Sequence, residues 1–135
     1  STNSQSYGNT YRLSEAYLNR AEALVFLDKW ESAITDINTI REKRIKNDYE
    51  ITATNREDAL NKVWEERRRE LCFEKHRWFD LRRQGMPELR HIFTNGGSRK
   101  EYILPAGSKS YTLPIPKKIR EQNKIIVNIE RPEQQ

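Results

Sequence analysis

Apolar side chains recur every three to four residues in the first third of the chain, a spacing typical of amphipathic helices. The first such stretch covers residues 10–28, and the second runs from residue 30 to about residue 44. Their apolar faces are Leu13, Tyr17, Ala21, Leu24 and Val25 in the first stretch, and Trp30, Ala33, Ile34, Ile37 and Ile40 in the second. Because only Asp28 and Lys29 separate the two helices, they must pack antiparallel, as in a tetratricopeptide unit.

The same spacing returns in residues 55–75 and continues in residues 78–84. Thr54, followed three residues later by Glu57, fits a capping box at the start of this third helix. Its apolar stripe consists of Leu60, Val63, Trp64, Leu71 and Trp78. A glycine and a proline within residues 85–87 end the pattern. The sequence therefore predicts a long third helix with a short helical continuation.

Two charged residues, Arg67 and Glu74, fall on this apolar stripe. A charge on a buried face is costly unless it is paired. Partners stand at helical spacing, since Glu70 lies three residues after Arg67 and Arg77 lies three after Glu74. We therefore predict a partly buried charge network, covered by Trp64, Trp78 and Phe79, with the members Arg67, Glu70, Glu74, Arg77 and Asp80. The other charges of this run fit a solvated face: Glu65, Glu66, Arg68 and Arg69.

The last third of the chain has signals for turns and strands. Residues 88–93 fit a short helical turn, and Asn95-Gly96-Gly97 is the most flexible point of the sequence. Residues 101–104 and 110–113 fit two short strands, and the turn at residues 105–108 would join them into a hairpin.

These elements predict a mainly α fold: a tetratricopeptide-like antiparallel helix pair and a third long helix, with a small β-hairpin and an irregular C-terminal segment. We expect residues 1–135 to form a single domain. Its parts are a leading loop at residues 1–9, a helical body at residues 10–93, and a hairpin with an irregular tail at residues 94–135. A last helical turn is expected at residues 117–122.

Composition narrows the classes of function. The net charge is +5, but the 25 basic residues are interleaved with 20 acidic ones, which argues against a nucleic-acid-binding surface. The single cysteine, Cys72, excludes an intramolecular disulfide and a cysteine metal cluster, and it fits a small buried residue. Two histidines are too few for a convincing metal site, so no metal or cofactor is predicted. No apolar run is long enough to cross a membrane.

An enzyme is not predicted either. The sequence offers no nucleophile–base pair, no metal cluster and no glycine-rich phosphate loop. Carboxylates beside arginines can do acid–base chemistry, but structural ion-pair networks have the same composition.

Three segments resemble, in this order, the C-terminal region of the SusD/RagB family of bacterial surface lipoproteins. They are RLSEAYLNRAEALVFLDKWESAITDINTIREKR, ERRRELCFEKHRWFDLRRQG and YTLPIPKKIREQN. The resemblance covers most of the chain between Tyr11 and Asn123. One departure is that Lys124 follows Asn123, where the family tends to have proline.

The resemblance implies a non-catalytic protein that captures oligosaccharides, or in some cases peptides, at the outer membrane. Such proteins act with a SusC-like TonB-dependent outer-membrane transporter and have no general cofactor. The chain would then be the C-terminal fragment of a longer protein whose missing N-terminal part carries the lipid anchor, which would be its sole membrane attachment. The alternative is a helical protein–protein interaction or scaffold module with no ligand site of its own.

Sugar binding calls for an exposed aromatic ring beside planar polar groups. Trp64 and Trp78 lie on the predicted buried stripe and fit the core instead. The candidate ligand-binding residues are Tyr102 and Tyr111 on the predicted hairpin, and Tyr49 in a loop. Cross-strand packing is the competing interpretation of the two hairpin tyrosines.

Overall fold

The computed structural model describes residues 12–123, 125 and 126. The chain divides into two compact units, Ser1–His76 and Arg77–Gln135. The first contains α1 (Leu13–Phe26), α2 (Trp30–Glu42) and α3 (Arg56–Glu70), and the second contains α4 (Arg77–Arg83), β1 (Leu89–Asn95), β2 (Ser98–Leu104) and α5 (Lys117–Gln122). The predicted leading loop at residues 1–9 and the end of the predicted tail lie outside the described residues. The mainly α fold with one small hairpin is confirmed.

The joint between α1 and α2 is as short as the sequence predicts. Asp28 adopts φ +60°, in the left-handed region that Asp tolerates better than most residues. The Lys29 N–H donates to the Leu24 carbonyl at 2.8 Å and the Asp28 N–H to that of Val25 at 3.1 Å. These bonds close the end of α1, so the chain reverses at once and α2 packs against α1.

The third helix is shorter than predicted. It ends at Glu70, and residues 71–75 form turns in which Phe73 and Lys75 adopt φ +65° and +67°. Glu74 therefore does not lie on the helix. At the other end, Asn55 is the cap, because its side chain accepts from the Asp58 N–H at 2.9 Å. The predicted cap, Thr54, instead donates its N–H to the Asp58 carboxylate at 2.8 Å.

The core of the first unit is formed by all three helices. Its buried members are Leu18, Ala21 and Val25 of α1, Ala33, Ile34, Ile37 and Ile40 of α2, Ala59 and Val63 of α3, and Leu71. The three alanines are fully buried, so they allow the helices to approach closely.

The hairpin of the second unit differs from the prediction. Residues 89–95, most of which were expected to be helical, form β1, which pairs antiparallel with β2. Gly96 and Gly97 join the strands with φ +54° and +85°, the positive values that a two-residue hairpin turn of type I′ requires. The second strand predicted at residues 110–113 is wrong, because Lys109–Tyr111 is a 3-10 turn. Pairing with the preceding segment closes a loop of two residues, shorter than the predicted turn at residues 105–108, and costs slightly less chain entropy.

Tyr111 is part of the buried centre of the second unit. It is fully buried, and its ring stacks on Trp78 with centroids 5.0 Å apart and an interplanar angle of 24°. Its hydroxyl donates a hydrogen bond to the carbonyl of Pro87. Leu81 and Asp80 are also buried, and Asp80 accepts from Arg83 at 3.0 Å.

Candidate functional site

The residues of the predicted charge network belong to both units of the chain. Arg67 (6% exposed) is buried in the first unit, and Asp80 (5%) in the second, which also contains the exposed Arg77. Arg67 donates to the side-chain oxygen of Asn19 at 2.8 Å, so a neutral amide on α1 is one of its hydrogen-bond partners. Arg67 is buried, and because Glu74 lies in the turns after α3, the five charged residues do not stand on one continuous helix.

Glu70 is the centre of the charge cluster in the first unit. Its Oε1 accepts from Arg12 and Arg44, each at 2.7 Å, and Oε2 accepts from the Nε of Arg44 at 3.1 Å. The hydrogen bond from Arg44 lowers the pKa of Glu70 below its ordinary value, against the opposing effect of partial burial. Arg12 also reaches Glu74 at 2.7 Å. Both predicted glutamates are thus paired with arginines that flank the helix pair, Arg12 before α1 and Arg44 after α2.

The burial of Glu66 differs from the prediction made from the sequence. Glu66 was expected on the solvated face, but it is 5% exposed and accepts from Arg41 at 3.0 Å and Arg69 at 3.3 Å. Arg41 also donates from Nε to the carbonyl of Tyr49 at 2.6 Å. This arginine therefore connects α2, α3 and the loop between them through charge-assisted hydrogen bonds.

Trp64 makes another polar contact between helices. Its indole N–H donates to Oε1 of Glu22 at 3.0 Å, and Glu22 is 6% exposed on α1. Trp64 itself is half-buried, so the predicted packing role holds in part. Phe79, expected to cover the network, is 63% exposed in the second unit.

A groove of about 580 Å³ opens on the first unit between the start of α1 and the end of α2. Its walls combine apolar, hydroxyl and cationic side chains: Arg12, Leu13, Ser14, Tyr17, Thr39, Ile40, Lys43 and Arg44. The volume is that of a small-ligand site. Both arginines are ion-paired with Glu70, Arg12 is also paired with Glu74, and Lys43 is paired with Glu42, so the charge of the groove is largely neutralised.

The three candidate tyrosines lie in different surroundings. Tyr111 is in the core of the second unit and its ring is stacked on Trp78, which corrects the prediction that it faces a ligand. Tyr49 is half-buried in the loop after α2. Tyr102 is 49% exposed on β2, and the Lys100 ammonium lies 5.0 Å from the centre of its ring. Of the three, Tyr102 has the exposed ring that a stacking ligand needs.

The hairpin places further residues beside Tyr102. The register pairs His91 with Tyr102 and Phe93 with Lys100, so all four side chains share one face of the ribbon. Phe93 is 50% exposed. Sequence analysis missed Phe93 and His91, because it placed residues 88–93 in a helical turn. The Gly-Gly pair between two runs of β-branched and aromatic residues is the signal that could have identified this hairpin.

Other site chemistries find no support in the part of the chain that the structure describes. Within it, no three side chains of His, Cys, Asp or Glu come together as a metal site. Cys72 is exposed, whereas the sequence predicted a buried thiol. No described helix has the length and hydropathy to cross a membrane.

The described residues thus form a mainly α fold, with a packed helix pair and a third helix in the first unit and a small exposed hairpin in the second. A sequence model of the SusD family matches residues 1–130, and the chain belongs to that family. Proteins of the family are non-catalytic binding proteins, so the prediction that the chain is not an enzyme is confirmed at the level of the family. No curated protein matches the chain.

One solved structure with the same fold is a SusD-like carbohydrate-binding protein from Bacteroides vulgatus. It is 23% identical to this chain and superposes with a TM-score of 0.61 over 84% of the chain. The chain spans 28% of the length of that protein.

Proposed function

We propose that the chain is part of a non-catalytic protein that captures oligosaccharides or related nutrients at the surface of a bacterial cell. The observation that carries this proposal is the match to the SusD family over residues 1–130. The carbohydrate-binding description of the solved relative favours a glycan over a peptide as the ligand.

The proposal includes a place and a partner. We infer a C-terminal portion of a longer protein, since the chain spans 28% of its solved relative. The longer protein would be attached to the outer membrane by an N-terminal lipid anchor and would act with a SusC-like TonB-dependent transporter. This partnership rests on the family resemblance.

Native affinity electrophoresis of the chain through gels containing neutral and acidic polysaccharides tests the glycan-binding function. Retardation by a polysaccharide, retained at physiological ionic strength, is the expected result. A mobility equal to that in the polysaccharide-free gel for every polymer would contradict glycan binding by these residues.

The alternative is a protein-interaction module without a ligand site. It is favoured by large apolar side chains that the first unit exposes: Leu13 (74%), Phe26 (57%), Leu27 (67%) and Phe73 (99%). Burial of such side chains against a partner protein would be favourable. Binding of the chain to a purified SusC-type transporter, weakened by Phe73→Ser and unaffected by glycans, would favour this alternative.

A further inference from the structure

The hairpin of the second unit has two faces of different chemistry. One face, here called the aromatic face, carries Leu89, His91, Phe93 and Asn95 of β1 and Ser98, Lys100, Tyr102 and Leu104 of β2. The opposite face carries Arg90, Ile92, Thr94, Arg99, Glu101 and Ile103. Side chains alternate between the faces of a strand, so neighbouring residues such as Tyr102 and Ile103 belong to different faces.

Rings and polar groups on the aromatic face have the arrangement that a sugar requires. Tyr102 lies directly opposite His91 and diagonal to Phe93, which places three flat side chains within reach of one another. The next row towards the turn supplies an amide, Asn95, and a hydroxyl, Ser98. Rings can stack on the apolar face of a pyranose, while the amide and hydroxyl can bond to its edge.

The two faces also differ in how their charges are paired. The aromatic face has one cation, Lys100, and no carboxylate, whereas the opposite face has two arginines, Arg90 and Arg99, and the carboxylate of Glu101. On the opposite face, Arg90 is paired with Glu88 at 2.7 Å and with Glu101 at 3.4 Å. Lys100 instead lies over the ring of Tyr102, with its ammonium 5.0 Å from the ring centre.

The Lys100 ammonium lies over one face of the Tyr102 ring, so a ligand that stacks beside this ring comes within reach of the ammonium group. An ammonium there attracts a carboxylate, and a planar carboxylate on a stacked sugar can reach it without leaving the ring. We propose that the aromatic face of the hairpin binds an acidic glycan, with Tyr102 and Phe93 stacking on a uronic acid residue and Lys100 pairing with its carboxylate. This inference rests on the proposed glycan-binding function and adds the ligand class and the location.

The hairpin supplies its own controls, because the two large rings of the aromatic face, Tyr102 and Phe93, have neighbours of similar exposure on the opposite face. Tyr102 and Ile103 are 49% and 48% exposed, and Phe93 and Ile92 are 50% and 45% exposed. Lys100 and Arg99 are adjacent cations on different faces. Paired substitutions therefore separate a specific face from the general attraction of a chain with net charge +5.

The experiment measures Kd of the full 135-residue chain for polygalacturonate by calorimetric titration at physiological ionic strength. We expect Tyr102→Ala to weaken binding about tenfold and Lys100→Gln about threefold, while Ile103→Ala and Arg99→Gln stay within about twofold. Circular dichroism checks that each variant keeps its helical content.

A fully methyl-esterified polygalacturonate provides the uncharged ligand. Esterification should weaken binding of the unmodified chain about threefold and remove the difference between it and Lys100→Gln, since both changes delete one ion pair. Tyr102→Ala should still weaken binding to the ester.

Each contrary outcome has a distinct meaning. Equal losses for Lys100→Gln and Arg99→Gln would show general charge attraction and overturn the inference. Binding of a neutral glycan that no hairpin substitution weakens would overturn the inference and leave the proposed function intact. Binding of no glycan would contradict both for this chain. If Tyr102→Ala weakened binding to phosphatidylglycerol vesicles but not to polygalacturonate, the aromatic face would be a membrane contact and the inference would be overturned.

Discussion

The two units of the chain distribute their charged and apolar side chains differently. In the first unit, charged groups such as Glu22, Glu66 and Arg67 are buried and bonded between helices. In the second unit, the hairpin exposes about half of the side-chain surface of Ile92, Phe93, Tyr102 and Ile103.

Geometry accounts for this difference. Three helices of 13 to 15 residues enclose a common core, so polar residues at their contacts become buried and must find partners. No described residue of its own unit adds a second layer to the two-stranded ribbon, and residues 90–103 are exposed on both of its faces. Substitutions in the first unit should therefore change stability, whereas substitutions in the hairpin should change binding.

The largest effect is expected at the Arg41–Glu66 ion pair, whose side chains are 13% and 6% exposed. Glu66→Ala leaves Arg41 buried without its carboxylate partner, which should lower the free energy of unfolding by about 3–5 kcal/mol. Urea unfolding, monitored by circular dichroism, measures this change. Glu74→Ala is the control, because the Glu74 side chain is 32% exposed and should lose about 1 kcal/mol or less. Equal losses for the two variants would contradict the assignment of the buried pair.

A second effect concerns the pH dependence of the first unit. The pKa of Glu70 is lowered from 4.5, first by its hydrogen bond to Arg44. The folded chain therefore binds fewer protons at Glu70 than the unfolded chain. The stabilisation is present above about pH 4.5 and is lost as the pH falls through the lower folded value.

Glu70→Gln tests this contribution. At pH 7 it should lower the free energy of unfolding by about 1.5–3 kcal/mol, the usual contribution of hydrogen bonds to a charged group. The loss should shrink below pH 4, as urea unfolding at several pH values will show. Glu65→Gln, at a 63% exposed side chain on the same helix, serves as control. A loss at Glu70 that is independent of pH would count against the ionic contribution.

A smaller effect is expected in the core of the second unit. Tyr111→Phe keeps the stack on Trp78 but removes the hydroxyl that donates to the Pro87 carbonyl. The expected loss is about 1 kcal/mol, since one buried acceptor is left without this donor. Tyr102→Phe, which removes an exposed hydroxyl, should be close to neutral. Similar losses for both would indicate that Tyr111 is not the buried tyrosine.

The smallest effect on stability is expected in the hairpin. Phe93→Ala and Ile92→Ala should each change the free energy of unfolding by about 0.5 kcal/mol or less, the usual range for exposed sites. A loss of more than about 2 kcal/mol for either one would show that its side chain is buried in the folded chain, and the contrast between the units would fail.

The helical part of the fold could be predicted because the apolar period is strong. The α1–α2 joint, the limits of α2 within two residues and the position of α5 follow from the sequence alone. The buried face of α3 was predicted with an error in rotation, because Leu60 and Trp64 received more weight than the small Ala59. The buried side is that of Ala59, Val63, Glu66 and Arg67, so Glu66 was assigned to solvent.

The candidate site could be predicted only in part. Tyr102 is exposed beside other aromatic residues, but Tyr111 is buried, although the sequence around it also has turn signals. Arg41 continues the stripe of Ile34 and Ile37 by one helical turn, and that signal could have identified a buried arginine. Its partners, Glu66 and the Tyr49 carbonyl, are distant in sequence and carry no local sign of the contact.

The sequence by itself determined that the chain is mainly helical, that its first two helices pair, and that it resembles SusD proteins. These conclusions depend on periodicity, turn residues and motifs, which are local properties. The tertiary structure decided which charges are buried, which arginines neutralise Glu70, and which tyrosine stays exposed. Those outcomes depend on how elements far apart in sequence pack, because burial and pairing are properties of contacts between elements and not of any single segment.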